Sequence, residues 1–189
     1  GEKSGRDQVD NSMRYFHKNV KLLQIHNLRD YSTHIKTLRQ LKEEGKIRYI
    51  GITHYVNSAH NDMERIIKTD KPDFIQIFLS VRNRVAENSL LPLAADNGVG
   101  VIINRPFETA DLFRSIGNTP LPPWAKDWGI NSWAAFFLKY IISNPHVTCV
   151  IPATSKPNHL KENMAAGFDP LPDEAIRKKM TDYFIQHAS

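Results

Sequence analysis

The feature that most constrains this chain is a recurrence. Short runs rich in Ile and Val appear at VKLLQIH (20–26), IRYIGIT (47–53), DFIQIFL (73–79), GVIIN (100–104) and VTCVIPA (147–153), each bounded by turn residues. The first four begin about 27 residues apart, the length of one strand, one helix and their turns. Because the runs are continuously apolar instead of alternating, they predict parallel strands buried on both faces and joined by right-handed helical crossovers.

The intervening stretches carry helical patterns. Ile35, Leu38 and Leu41 mark one face of a helix over 33–46, with Gly45 as its stop. Ser58 is placed to cap a helix bearing Met63, Ile66 and Ile67 that ends before Lys71-Pro72. Further helices are predicted near 90–96, over 131–144, 157–166 and 173–186, and ahead of the first strand at Val9, Met13 and Phe16. The stretch 105–129, dense in Pro and aromatic residues, predicts a long flap over a site at the C-terminal ends of the strands.

Two architectures use such units. A doubly wound dinucleotide fold carries G-x-G-x-x-G after its first strand, and this sequence does not. A (β/α)8 barrel takes about 250 residues. At 189 residues, with five strands preceded by a strandless helix, the chain is predicted to be a single α/β domain over 1–189, a partial TIM barrel holding the last five strands. Hydrophobic residues at 41% and charged residues at 24% fit a globular domain and exclude collagen-like and disordered classes. The net charge of +5 is interspersed along the chain, which suits a solvated surface or an anionic small ligand and argues against nucleic acid. No window approaches the roughly 18 apolar residues of a membrane span, so no membrane partner is expected. The one cysteine, Cys149, lies in an apolar run and is predicted to be buried; it fits a reducing, cytoplasmic setting.

In a barrel, chemistry sits at the C-terminal strand ends. Here those ends are His26-Asn27, Thr53-His54-Tyr55, Gln76 with Phe78 and Ser80, Asn104-Arg105, and the segment 152–156. His26 is either a satisfied structural histidine or an acid and hydrogen-bond donor toward a substrate oxygen. Gln76 needs a partner if buried, on a neighbouring strand or on a ligand. Thr154, Ser155 and Lys156 precede a helix start, which is either a simple cap or an anion site. The eight histidines are scattered without ligand spacing, so no metal site is expected.

LLQIHN, LRQLKEEGKIRYIGITHY, DFIQIFLSVRNRVAENSLLPLAADNGVGVIINRPF and VTCVIPATSKPNHLKEN, in this order, resemble the later two-thirds of aldo-keto reductases, from about Gln8 to Phe168. The resemblance implies a (β/α)8 barrel that binds a nicotinamide cofactor in extended form, NADP(H) ahead of NAD(H), and reduces a small aldehyde or ketone by hydride transfer. By position, His26 matches the histidine that orients the substrate carbonyl. Thr53 and His54 match a Ser-Asn pair on the nicotinamide carboxamide, and Gln76 a glutamine with the same duty. Asn104 or Arg105 lies where many members stack an aromatic ring on the nicotinamide. Thr154, Ser155 and Lys156 fall around the phosphates, His159 where an Arg is frequent, and Glu162 and Asn163 opposite the adenine. Tyr55, Trp124 and Trp128 are expected to wall the substrate pocket.

The family's catalytic Asp, Tyr and Lys belong to its first three strands, which have no counterpart here, so the expectation is an incomplete chain with negligible reductase activity by itself. His54 stands in place of an amide and His159 in place of an Arg, which weakens the case for NADP(H) over NAD(H). The alternative expectation is a non-catalytic nucleotide-binding module, or one that self-associates through its open sheet edges.

Overall fold

The Ile- and Val-rich runs form the strands, and their register sets which residues share a face. In the computed structural model, which describes residues 1–17, 19–168 and 170–188, β1 (Leu22–Ile25), β2 (Tyr49–His54), β3 (Phe74–Phe78), β4 (Gly100–Asn104) and β5 (Cys149–Val150) pair in chain order. Every pairing is parallel. The helices are α1 (Glu2–Tyr15), α2 (Tyr31–Glu43), α3 (His60–Asp70), α4 (Leu90–Asp96), α5 (Asp111–Ile116), α6 (Trp133–Ile142), α7 (Pro157–Ala165) and α8 (Glu174–His187).

Ile52, Ile75 and Val101 are register neighbours with no exposed surface, and they join Ile35, Leu38, Met63, Ile66 and Leu91 of the helices in one core. The opposite face carries Gln24, Phe74, Gln76, Ile102 and Asn104, all half-buried. Burial on both strand faces was the expectation; it holds along β2, where residues 50–53 are all buried, but not along β3 and β4. The helices cover the outer face, and no second layer lies over the inner face among the described residues, so β3 and β4 alternate between half-buried and buried. On that inner face the Phe74 ring lies over Gly100, where an added Cβ would come within 2.5 Å of it, and meets Tyr49 edge-on at 5.4 Å.

Helix boundaries follow local chemistry. Past α2, Gly45 takes φ +70 while Lys46 N–H returns to the Leu41 carbonyl, a left-handed stop that glycine adopts without Cβ strain. Ser132 Oγ accepts from Ala135 N at 3.1 Å to cap α6, and Asp173 caps α8 by accepting from Ile176 N at 2.8 Å. Ser58 does not cap α3: it sits inside a short 3-10 turn (Asn57–Ala59), and α3 begins at His60 with no side-chain cap bond.

Two further expectations are corrected. Cys149 is exposed, because β5 is a two-residue edge strand with no neighbour on its far side among the described residues. The stretch 105–129 is not a bare flap. It holds α5 and two 3-10 turns, and buries Leu112, Ile116 and Ala125 in the common core. Its end is tied down by Trp133 Nε1 donating to the Thr119 carbonyl at 2.9 Å and the Tyr183 hydroxyl donating to Pro120 at 2.9 Å.

Candidate functional site

Parallel pairing aligns the C-terminal strand ends, and the polar residues of the sequence collect there. Thr53 and Gln76 are register partners across β2 and β3, so their side chains leave the same inner face. Thr53 is buried and Gln76 half-buried. His54 Nδ1 accepts from Val56 N at 3.3 Å, and its ring stacks on Tyr55 at 5.9 Å. Beyond it, burial holds His60 below the usual histidine range, partly offset by Glu64 and helped by a smaller push from His54. Asn104 ends β4 on the inner face opposite Phe78, and its Oδ1 is buried without a partner.

Arg105, next along the chain, turns its guanidinium over two rings, 5.1 Å from the centre of Tyr55 and 5.6 Å from that of Phe78. Its backbone is left-handed at φ 51, and Glu108, Thr109 and Ala110 follow at φ 49, 58 and 71. Such positions cost free energy for residues with a Cβ and concentrate at functional sites. The turn is clamped from the β3 side, where the Ser80 hydroxyl donates to Glu108 and Arg82 pairs with the same carboxylate at 3.1 Å. Ser80 Oγ also accepts the Asn83 amide at 2.8 Å.

This turn forms one wall of a cleft of about 740 Å3. The other walls are the start of α6 at Ser132, Trp133 and Ala134, the segment after β5 at Ile151, Ala153 and Thr154, and α7 at His159, Glu162 and Asn163. Spacing of three and four residues puts those α7 side chains on one helical face. Asn163 Nδ2 is a buried donor without an acceptor. A buried polar atom left unpaired calls for a partner such as a ligand oxygen, so the cleft fits a polar, oxygen-rich ligand. The volume is that of a small-molecule or cofactor site.

Of the residues singled out from sequence, Arg105, Thr154, His159, Glu162 and Asn163 meet in this cleft. Thr53, His54 and Asn104 at the strand ends and Gln76 midway along β3 do not line it. Ser155 and Lys156 are exposed at the entrance to α7, where Thr154 Oγ1 accepts from Lys156 N at 3.1 Å. His26 opens a 3-10 turn after β1, is exposed, and lines a separate polar groove of about 760 Å3 with Gln24, Arg29, Asp30 and His34. Trp124 meets Phe136 at a tilt and Tyr183 edge-on and, like Trp128, packs against the core; neither lines the cleft. Tyr55 lies beneath Arg105. The aromatic wall is instead Phe107, Phe113 and Trp133, residues that the sequence reading passed over although they stand within the same apolar stretches.

Among the described residues no group of three or more His, Cys, Asp or Glu is placed to hold a metal, and no helix is long and apolar enough to cross a membrane.

Comparison with known proteins places these features. The profile of the aldo/keto reductase family matches residues 2–179. An NADH-specific methylglyoxal reductase from Escherichia coli (strain K12) is 27% identical over 157 residues, which cover 70% of this chain and 47% of that protein. The chain thus spans about half the length of that relative. Aldo-keto reductase AKR11C1 from Bacillus halodurans, in its holo form, superposes with a TM-score of 0.76 at 21% identity, over 100% of this chain and 68% of its own. An aldo/keto reductase from Klebsiella pneumoniae, solved with NADP and acetate, gives 0.73 at 20% identity, over 93% and 62%. The fold is that of part of an aldo-keto reductase (β/α)8 barrel. This chain belongs to the aldo/keto reductase family.

Proposed function

We propose that this chain carries the cofactor cleft, and part of the substrate face, of a nicotinamide-dependent oxidoreductase that interconverts small aldehydes or ketones and alcohols. The observation that carries the reading is Asn163 Nδ2, a buried donor without an acceptor in a cleft that also holds Arg105, Thr154 and His159. When bound, the reduced cofactor supplies the hydride that a carbonyl carbon accepts.

Each residue then has a task. Asn163 and Glu162 face the adenine end, while Thr154, Ser155 and Lys156 meet phosphate oxygens at the entrance to α7. Thr53 and Gln76 hold the carboxamide from the inner face, His54 closes the end of β2 beside them, and Asn104 and Arg105 lie beside the nicotinamide. His26 donates to the carbonyl oxygen and orients it. Lys156 supports NADP(H) ahead of NAD(H), whereas His159 offers a weaker phosphate contact than an Arg fork would. Methylglyoxal, named for the Escherichia coli relative, belongs on the substrate panel.

A second reading is a nucleotide-binding module without catalysis, or one that self-associates through the unpaired edges of β1 and β5. It is favoured by His26, which opens on a groove separate from the cleft. Titration with NADPH and NADH, followed by quenching of Trp133 in the cleft wall, tests binding. NADPH consumption with a panel of aldehydes, by this chain joined to the first three strands of a relative and against a His26→Ala control, tests catalysis. Binding that Asn163→Ala weakens, together with turnover that His26→Ala abolishes, supports the first reading. Binding without turnover supports the second. Absence of binding defeats both nucleotide readings.

A further inference from the structure

We propose that Arg105 is an anion anchor of the cleft, receiving a pair of carboxylate or phosphate oxygens from the small molecule bound there. Its partners are unusual for an arginine. Among the described residues it pairs with no carboxylate; its contacts are the Tyr55 and Phe78 rings and a hydrogen bond from Nη2 to Thr109 Oγ1 at 3.3 Å. Its neighbour Arg82, by contrast, is neutralised by Glu108. Ring faces hold the guanidinium plane without consuming its charge, so most of its N–H donors stay available. The residue is also kept in a left-handed backbone conformation by the turn that Ser80 and Arg82 clamp through Glu108. A left-handed backbone at a residue with a Cβ carries a free-energy cost.

A second observation points to the same chemistry. Asn163 Nδ2, across the cleft on α7, is a buried donor without an acceptor. Among the described residues, Glu162 is the one carboxylate in the lining, and no ion pair joins it to Arg105. The cleft therefore presents an unmatched cation at one wall and an unmatched donor at the other. Oxygen anions satisfy both, and a planar fork suits a carboxylate or phosphate pair.

The anion has two possible sources, an oxo-carboxylate substrate or the phosphates of the dinucleotide. Arg105 sits over the ring of Tyr55, just past β2, and that of Phe78 in β3, at the middle of the sheet. The inference deepens the cofactor-cleft reading and rests on it for the identity of the second source. The test uses the 189-residue chain, with Trp133 quenching, and four probes: 4-oxopentanoate, its neutral counterpart 2-pentanone, inorganic pyrophosphate and NADPH. Variants are Arg105→Met and Arg105→Lys, with Lys178→Met on α8 as a control for net charge and thermal melts to check folding.

Arg105→Met is expected to weaken at least one anionic probe by about tenfold or more, with Arg105→Lys in between and Lys178→Met near wild type. Loss confined to 4-oxopentanoate, with 2-pentanone unmoved, assigns the anchor to the substrate; loss confined to pyrophosphate and NADPH assigns it to the cofactor. Either supports the proposal. Wild-type binding of NADPH with every affinity unchanged in Arg105→Met overturns the anchor and leaves the cofactor reading standing. Wild-type failure to bind NADPH with Arg105-dependent binding of 4-oxopentanoate overturns the cofactor reading and keeps the anchor. Failure of the wild type to bind any anionic probe overturns the anchor.

Discussion

At the scale of single residues, the site depends on side chains far apart in sequence. Ser80 has no exposed surface, and its hydroxyl donates to Glu108 while accepting amides from the loop after β3. Removing it leaves the Glu108 carboxylate with Arg82 alone and frees the part-buried Arg82 and Asn83 amides. Ser80→Ala is expected to cost about 1–2 kcal/mol of stability, the range for a buried hydrogen bond whose partners are left unpaired. Because the left-handed turn at 105–110 loses its clamp, NADPH affinity should fall as well. Urea denaturation and the Trp133 titration measure the two effects, and an unchanged midpoint with unchanged affinity would show that the clamp does not hold the turn. The Ser80–Glu108 pair was illegible in the sequence for a physical reason: its residues lie in loops of different strand-helix units and meet only when β3 and β4 pair. His26, Gln76 and Arg105, by contrast, were legible as polar residues that interrupt or end apolar runs.

At the scale of elements, what could be read was whatever periodicity and local capping decide. The first four strands and most helix faces fall close to where their apolar runs place them. The misses all concern neighbours. The run 147–153 reads as a strand like the others, yet β5 keeps only Cys149–Val150, because an edge strand pairs on one side alone. Ser58 has the chemistry of a cap, but the 3-10 turn ahead of α3 claims it. Gly100 carries no signal in the sequence for the same kind of reason: its lack of a side chain matters only once β3 lies beside β4 and the Phe74 ring lies over it. The Phe74 ring is itself pinned edge-on by Tyr49. Gly100→Ala should therefore displace an aromatic pair on the inner face, at about 1–3 kcal/mol, as overpacking does. Gly100→Ala combined with Phe74→Leu, which removes the obstructing ring, should lose less than the sum of the two single changes. Strict additivity in the denaturation midpoints would count against the contact.

At the scale of the whole molecule, the cleft is a property of the assembled sheet. Its walls come from the β4–α5 turn, the start of α6, the segment after β5 and α7, so the unfolded chain has no equivalent site. A ligand that occupies it binds the folded state alone, and mass action then converts occupancy into stability. At a free concentration near 100 times its dissociation constant, such a ligand adds about 2.7 kcal/mol. For a domain of this length each kcal/mol moves the midpoint by roughly 2–4 °C, so saturating NADPH should raise Tm by roughly 5–10 °C. NADH, lacking the 2′-phosphate that Lys156 is proposed to meet, should reach the same shift only at higher concentration. Lys156 is exposed at the entrance to α7, so Lys156→Met should close the gap between the two nucleotides without altering the unliganded Tm. Calorimetric melts at graded nucleotide concentrations separate these outcomes. Equal shifts for both nucleotides in the wild type would assign Lys156 to the solvated surface. No shift with either would remove the cleft from cofactor binding altogether, whatever the fold it shares with its relatives.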